Sequence, residues 1–133
     1  EEGLMLCSAV ALNIGQEFDL FMNDFLKYLN HALGSLNDLS LCVTAVHVTS
    51  DLIRGLYNEF DKYVDQLLPP ILNILGDPNA DKSFKPHCLN VISDYLINCT
   101  VSENFKYMEQ IMILLGNALE AATIIDLSDV KNY

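Results

Sequence analysis

The chain has 133 residues, 51% of them apolar, which is enough for one hydrophobic core and too few to expect two independent domains. Asp and Glu outnumber Lys and Arg by 18 to 7, and the resulting net charge of −11 disfavours nucleic acid and anionic lipid as partners. The longest apolar runs, such as Ile111 to Leu115, are far shorter than the roughly 18–20 residues that span a bilayer, so we expect no membrane-spanning segment.

The first predicted repeat covers about residues 1–36 and consists of two helices. Its first helix is apolar over most of its circumference and ends at Gly15. Its second helix begins at the segment EFDLF and carries Asp19 and Asn23 on its polar side. The apolar side of this amphipathic helix follows steps of three and four, at Phe21, Phe25, Leu29, Leu33 and Leu36.

The second predicted repeat, about residues 37–76, has the same organisation. Asn37-Asp38 is a predicted N-cap for a largely apolar helix, and the amphipathic helix that follows begins at EFDKY, after a break at Asn58. Asp61 and Asp65 lie on the polar side of this second helix.

The third predicted repeat, about residues 83–122, follows a turn at 76–79 and starts at Ser83, with Pro86 in the first helical turn. Its amphipathic helix begins at ENFKY, after a break at Ser102, and has a polar side with three predicted surface residues, Gln110, Asn117 and Glu120. Residues 123–133 are predicted to begin a further repeat that is truncated.

The phenylalanines of the three similar segments are Phe18, Phe60 and Phe105, which are 42 and 45 residues apart. HEAT and armadillo units repeat at roughly 40–47 residues, whereas tetratricopeptide units repeat at about 34. No segment shows the sustained alternation that is typical of β-strands. The sequence therefore predicts an all-α fold, an α-solenoid of about three HEAT repeats whose six antiparallel helices form a right-handed superhelix.

Two pairs of residues within these repeats have predicted structural roles. Asp51 and Asp94 lie 43 residues apart, each after a serine and late in a first helix, so we expect their carboxylates to accept N–H groups of the adjoining repeat. Pro69 and Pro70 cannot donate N–H groups to a helix, so we expect the helix to kink or restart near Gln66 to Pro70.

The sequence contains none of the common catalytic or metal-binding motifs, so we expect no catalytic residue, cofactor or metal. The sequence has no HExxH, GxSxG, GxxxxGK[ST] or GxGxxG motif. The four cysteines are far apart among apolar residues, without the spacing of a zinc site, and reduced core thiols are the favoured interpretation. Cys42 and His47 are five residues apart on one helix, which does not bring their side chains together on one face.

The order of these segments resembles the C-terminal half of the importin beta, or karyopherin beta, family. The resemblance covers essentially the whole chain. It rests on EFDLFMNDFLKYL, VTSDLIRGLYNEFDKYVDQLLPPILNILGD, SFKPHCLNVISDY and ENFKYMEQIM, with a helix start at Lys85-Pro86.

This resemblance implies a fragment of a non-enzymatic nuclear import receptor that shuttles between cytoplasm and nucleus through the nuclear pore. Such receptors bind the basic segment of importin alpha, or cargo, on a concave face lined by second helices. They also bind Ran-GTP, and they bind FG-repeat nucleoporins in grooves on the outer face between first helices. On the concave face we expect Asp19, Asn23, Asp61, Asp65, Gln110, Asn117 and Glu120, although Lys106 interrupts the acidic row.

Two alternatives remain open at the level of sequence. One is a HEAT-repeat scaffold or adaptor subunit of another complex, such as the regulatory scaffold of a phosphatase. The other is an α-helical hydrolase with a cysteine nucleophile, which requires a thiol of depressed pKa.

Apolar surface at the ends of a repeat stack also predicts non-physiological self-association.

Overall fold

The computed structural model describes residues 1–98 and 107–131, with side chains as far as residue 120. Regular structure in these ranges is helical throughout, which confirms the all-α prediction. The described residues form six α-helices in the predicted order, and 3-10 turns precede the second and the fourth. They are α1 (Glu2–Ile14), α2 (Asp19–Gly34), α3 (Leu39–Leu56), α4 (Val64–Gly76), α5 (Phe84–Asn98) and α6 (Met108–Lys131), with 3-10 turns at Gly15–Phe18 and Tyr57–Tyr63.

Helices α1 to α5 belong to one compact unit, Glu1–Ser102, in which they form two layers. Helix α1 packs on α3 and α3 packs on α5, so the first helices of consecutive repeats lie in one row. Helix α2 packs on α3 and α4, and α4 packs on α5, so the second helices form the other row. This is the packing of an α-solenoid, in which one hairpin covers the apolar side of the next. Helix α6 lies in a second unit, Glu103–Tyr133.

The buried side of α2 differs from its predicted stripe. Phe25, Leu29 and Leu33 are buried as expected, whereas Phe21 is 55% exposed and Leu36 is 49% exposed. Phe21 lies in a groove that α1 and α2 form alone, so no second repeat covers it in this unit. In α4 the whole predicted stripe is buried, because α4 packs between α2 and α5: Val64, Leu67, Ile71 and Leu75.

The turns that begin and end the helices follow the predicted sequence signals. Asp38 accepts a hydrogen bond from the backbone N–H of Leu41 at 3.1 Å, as an N-cap does. The backbone N–H of Asn79 donates to the side chain of Asp77 at 2.8 Å, directly after α4 ends. The predicted starts at Ser102 and Phe105 lie outside the described residues.

Two predicted boundaries remain predictions. Helix α4 runs from Val64 to Gly76 and contains Pro69 and Pro70. It begins directly after the 3-10 turn, two residues before the segment Gln66 to Pro70 in which a kink or restart is predicted. Helix α6 continues to Lys131, past the predicted repeat boundary at 122.

Two stretches, Glu2–Gly34 and Leu39–Gly76, are long and apolar enough to cross a membrane by length and composition alone. Each stretch consists of two α-helices joined by a 3-10 turn. The 13 residues of α1 rise about 20 Å, less than the roughly 30 Å of a hydrocarbon core. Core helices of water-soluble proteins meet the same test, so the finding is weak evidence for a membrane.

The turn between the two helices of a repeat uses the same backbone conformation twice. Gly15 has φ 62° and ψ −132°, and Tyr57 has φ 54° and ψ −122°. Each stands three residues before the repeated phenylalanine, Phe18 or Phe60. Glycine adopts this region without steric cost, whereas a tyrosine does not, so the second turn holds strain that the first lacks.

Replacing Tyr57 with glycine is expected to raise the free energy of unfolding by about 1 kcal/mol, because the strain at positive φ disappears while little packing is lost. Tyr57 is 53% exposed, so its side chain contributes little to the core. Urea unfolding followed by circular dichroism measures the effect. Gly15→Ala is the matched reverse change and should lower the free energy of unfolding. A loss of stability in Tyr57→Gly, or a gain in Gly15→Ala, would refute the strain.

Candidate protein-binding surface

The predicted surface residues in the first unit lie on neighbouring elements, because α2 packs against α4. Asn23 on α2 and Asp65 on α4 are exposed, as a binding role requires. Asp19 and Asp61 are half-buried. We call the exposed side of α2 and α4 the second-helix face. Gln110, Asn117 and Glu120 are exposed on α6, in the other unit.

Asp19 is engaged by the next repeat of the same chain. The Tyr63 hydroxyl donates to Asp19 Oδ1, and Lys62 Nζ lies 3.0 Å from Asp19 Oδ2. Lys62 also forms an ion pair with Glu59, one helical turn before it. Asp19 therefore connects α2 to the turn before α4, and any basic ligand at this carboxylate has to compete with Lys62.

The contacts of Asp19 shift the protonation equilibria of all three groups. The hydrogen bond from Tyr63, followed by that from Lys62, lowers the pKa of Asp19. Burial, followed by the hydrogen bond to Asp19, raises the pKa of Tyr63 to about 12. The hydrogen bond to Glu59, followed by that to Asp19, raises the pKa of Lys62. At neutral pH the carboxylate is ionised and its two partners are protonated.

Tyr63→Phe is expected to lower the free energy of unfolding at pH 7 by about 1 kcal/mol, since it removes one hydrogen bond to a half-buried carboxylate. For Asp19, whose folded pKa is lowered, the stabilisation is present above the unfolded value near 3.9 and is lost as pH falls through the folded value. For Tyr63, whose folded pKa is about 12, stability falls as pH rises from about 10 to about 12.

Urea unfolding of the unmodified chain and of Tyr63→Phe, measured between pH 3 and pH 11, tests both expectations. The variant should lose part of the acid dependence and the alkaline fall that belongs to Tyr63. Tyr28→Phe is the control, because Tyr28 is 63% exposed. Unchanged pH profiles in Tyr63→Phe would contradict the assigned contacts.

Asp61 occupies the position in the second repeat that Asp19 occupies in the first, directly after the repeated phenylalanine. Its Oδ1 atom is buried and has no hydrogen-bond partner among the described residues. A carboxylate oxygen in that state is costly unless a donor reaches it. The predicted binding role of Asp61 stays a prediction.

The first helices are joined by a second set of polar contacts. Ser8 Oγ donates to Asp51 Oδ2, and Ser50 Oγ donates to Asp94 Oδ2, over 43 and 44 residues. Arg54 donates to Asp51 and places its Nε 3.9 Å from Asp94 Oδ2. Across the repeats the hydrogen-bond donors are the hydroxyl groups of Ser8 and Ser50, whereas the sequence interpretation expected N–H groups. Arg54 donates its N–H groups to Asp51 of its own repeat. That these contacts stabilise the stack stays a prediction.

The same unit has two apolar grooves, and the lining of the first includes Ser8 and Asp51. The first, of about 430 Å³, runs between α1 and α3 and has a largely apolar lining that includes Met5, Ala9, Leu12 and Val48. The second, of about 420 Å³, lies between α1 and α2 and contains Phe21 and Tyr28. Both have the size and apolar character of sites for small side-chain groups.

Two of the described thiols, those of Cys42 and Cys88, do not have the chemistry of a nucleophile. Cys42 and Cys88 are fully buried. Burial raises the pKa of Cys42, and burial together with the nearby Cys42 raises the pKa of Cys88 to about 12. Both are therefore protonated at neutral pH. This finding argues against either as a catalytic thiolate, while Cys99 lies outside the described residues.

Hairpins stacked in two rows, with polar contacts that join residues 43 or 44 positions apart, define a tandem-repeat protein of the α-solenoid class. A family profile described as importin subunit beta-1-like, TPR repeats, matches residues 1–133. The chain belongs to this importin beta-1-like family. The description refers to TPR repeats, whereas the period of 42–45 residues in this chain is that of HEAT units.

Curated relatives agree with this membership. The chain is similar to importin subunit beta-1 of Saccharomyces cerevisiae, with 30% identity over 80% of the chain and 12% of the relative. Importin subunit beta-1 of Arabidopsis thaliana is 29% identical over 90% of the chain and 14% of the relative. The Schizosaccharomyces pombe protein of the same name is 28% identical over 89% of the chain and 14% of the relative. The chain thus matches a small part of the length of these proteins.

Proposed function

We propose that the chain is a segment of a non-enzymatic nuclear import receptor whose second-helix face binds the basic segment of importin alpha or of a cargo. The observation that carries the proposal is the match of an importin beta-1-like profile to all 133 residues. The net charge of −11 gives the chain the sign that attracts a basic segment.

The exposed groups of the second-helix face suit such a ligand. Asp65 presents a carboxylate and Asn23 presents an amide on adjacent second helices. Carboxylates pair with lysine and arginine, and asparagine amides bind the backbone of a peptide. Lys62 adds little positive charge to the face, since Glu59 and Asp19 pair with it.

The receptor role includes two further classes of partner in the intact protein. The apolar groove between α1 and α3 lies between first helices, where this family would bind FG-repeat nucleoporins, and its 430 Å³ accommodates a phenylalanine ring. Ran-GTP would bind the intact receptor and release the cargo. Such a receptor would shuttle between cytoplasm and nucleus through the nuclear pore.

A basic helical peptide labelled with a fluorophore tests the proposed face by fluorescence anisotropy. We expect Asp65→Lys to weaken binding by about tenfold, because it replaces an attraction with a repulsion. The affinity of the unmodified chain should fall steeply with added salt, since exposed charges are screened beyond about 10 Å at 0.1 M.

Glu2→Lys is the matched control, because it changes the charge equally on α1 rather than on a second helix. Equal losses in both variants would mean that net charge acts without a defined site. Affinity that is indifferent to ionic strength, or absent in the intact protein, would overturn the proposal. In a pull-down with the intact protein, recovery of a phosphatase catalytic subunit in place of importin alpha and Ran would favour the scaffold alternative.

A further inference from the structure

Two histidines meet at the junction of the second and third repeats. His47 lies on α3 and His87 lies on α5, and the centroids of their rings are 4.5 Å apart with 67° between the ring planes. Because α3 and α5 are the first helices of consecutive repeats, this pair spans the joint between them. His47 is exposed and His87 is half-buried, so an ion from solvent can reach them.

The protonation state of His47 is the one that a metal ligand needs. Burial, followed by the positive charge that His87 can carry, lowers the pKa of His47. His47 is therefore neutral at pH 7 and has a nitrogen lone pair available. Neutral imidazole is the commonest metal ligand among side chains.

The separation of the rings fits two ligands of one ion. Imidazole nitrogens bind divalent transition metals at about 2.0–2.1 Å, which places the centroids of two adjacent ligand rings about 4.5–5 Å apart. The observed 4.5 Å therefore requires rotation of the rings and little movement of the helices. The shorter end of this range corresponds to the right-angled geometry of Cu²⁺ and Ni²⁺.

We propose that His47 and His87 form a two-histidine site for a divalent transition metal ion of the Ni²⁺, Cu²⁺ and Zn²⁺ class, which joins α3 to α5. No group of three or more His, Cys, Asp or Glu side chains could hold a metal in the part of the chain that the structure describes. Asp51, one turn after His47, is occupied by Ser8 and Arg54. Water or an external ligand fills the other positions, so the ion exchanges readily.

Thermal unfolding of the chain with and without Ni²⁺ tests the site. Ni²⁺ is the suitable probe because its preference for nitrogen ligands limits competition from the cysteines, compared with Zn²⁺. At a concentration ten times the dissociation constant, Ni²⁺ shifts the folding equilibrium about elevenfold towards the native state, which raises Tm by a few degrees. EDTA should reverse the rise, and Mg²⁺, which prefers oxygen ligands, should cause none.

Three variants decide where the ion binds, each compared with its own Tm in EDTA. His47→Gln and His87→Gln should abolish the rise, and His31→Gln, which removes an exposed histidine on α2, should keep it. Isothermal titration with Ni²⁺ should give one ion per chain and lose this binding in the first two variants. An unchanged Ni²⁺ response in His47→Gln and His87→Gln, or no saturable binding by the unmodified chain, would overturn the proposal.

Discussion

Phe60→Ala is expected to lower the free energy of unfolding by about 3–5 kcal/mol, the cost of removing a fully buried phenylalanine from a packed core. Phe60 is 0% exposed and lies in the 3-10 turn Tyr57–Tyr63, which contacts α3, α4 and the equivalent turn before α2. A cavity at this point weakens the joint between two repeats as well as the second repeat itself. For a domain with about 5–15 kcal/mol of stability, this loss is a large fraction.

Urea unfolding at a fixed protein concentration measures this loss, with Phe21→Ala as the matched control. Phe21 is 55% exposed, so the same change of side chain should cost less than about 1 kcal/mol there. Phe18, which is 4% exposed and packs edge-on against Phe25 at 5.8 Å, should behave like Phe60. If Phe60→Ala and Phe21→Ala have the same effect, the repeated phenylalanine does not hold the layers together.

Gly55→Val is expected to be the second most damaging change, with a loss of about 1–3 kcal/mol from forced overpacking. A Cβ atom at Gly55 would lie 2.8 Å from the carbonyl oxygen of Ala11 and 3.2 Å from its carbonyl carbon. These are backbone atoms of α1, so they cannot turn away as the end of a side chain could. The substitution therefore has to push α1 away from α3.

The measurement is again the free energy of unfolding in urea, and Gly34 supplies the control. A Cβ at Gly34 meets nothing within 4 Å, so Gly34→Ala should be neutral or stabilising by up to about 1 kcal/mol. Gly55→Ala should still destabilise the chain, although alanine is the better helix former. A gain in stability from Gly55→Ala would show that the two helices separate freely.

The arrangement of helices could be predicted from the sequence because it depends on regular spacing. Apolar residues in steps of three and four predict each amphipathic helix, and the 42-residue interval from Phe18 to Phe60 predicts that the two turns are equivalent. The positive φ at Tyr57 could not be predicted, since tyrosine gives no signal for that conformation and the surrounding packing imposes it. The exposure of Phe21 depends on which neighbours are present, and the stripe alone does not contain that information.

The sequence could predict the polarity of the candidate surface, whereas the binding role of its residues stays a prediction. The pattern indicated a polar side for α2, and Asn23 is exposed there, but it did not show that Asp19 is engaged by Lys62 and Tyr63. The signal was present in EFDKY, because these two residues follow Asp19 by one repeat length.

The histidine pair could not be predicted by comparing residues one repeat length apart, for a geometric reason. His47 and His87 are 40 residues apart, about one helical turn short of the repeat. Side chains of stacked helices also meet between offset turns, and a comparison at one fixed period does not find them.

The close approach of Gly55 to Ala11 has a mechanical consequence for the stack. Main-chain atoms set the separation of α1 and α3 at this point, and they resist compression far more than flexible side chains do. A load that presses α1 against α3 therefore meets main-chain atoms at this point. Elastic change of shape in this unit is therefore easier at joints where side chains keep the helices apart.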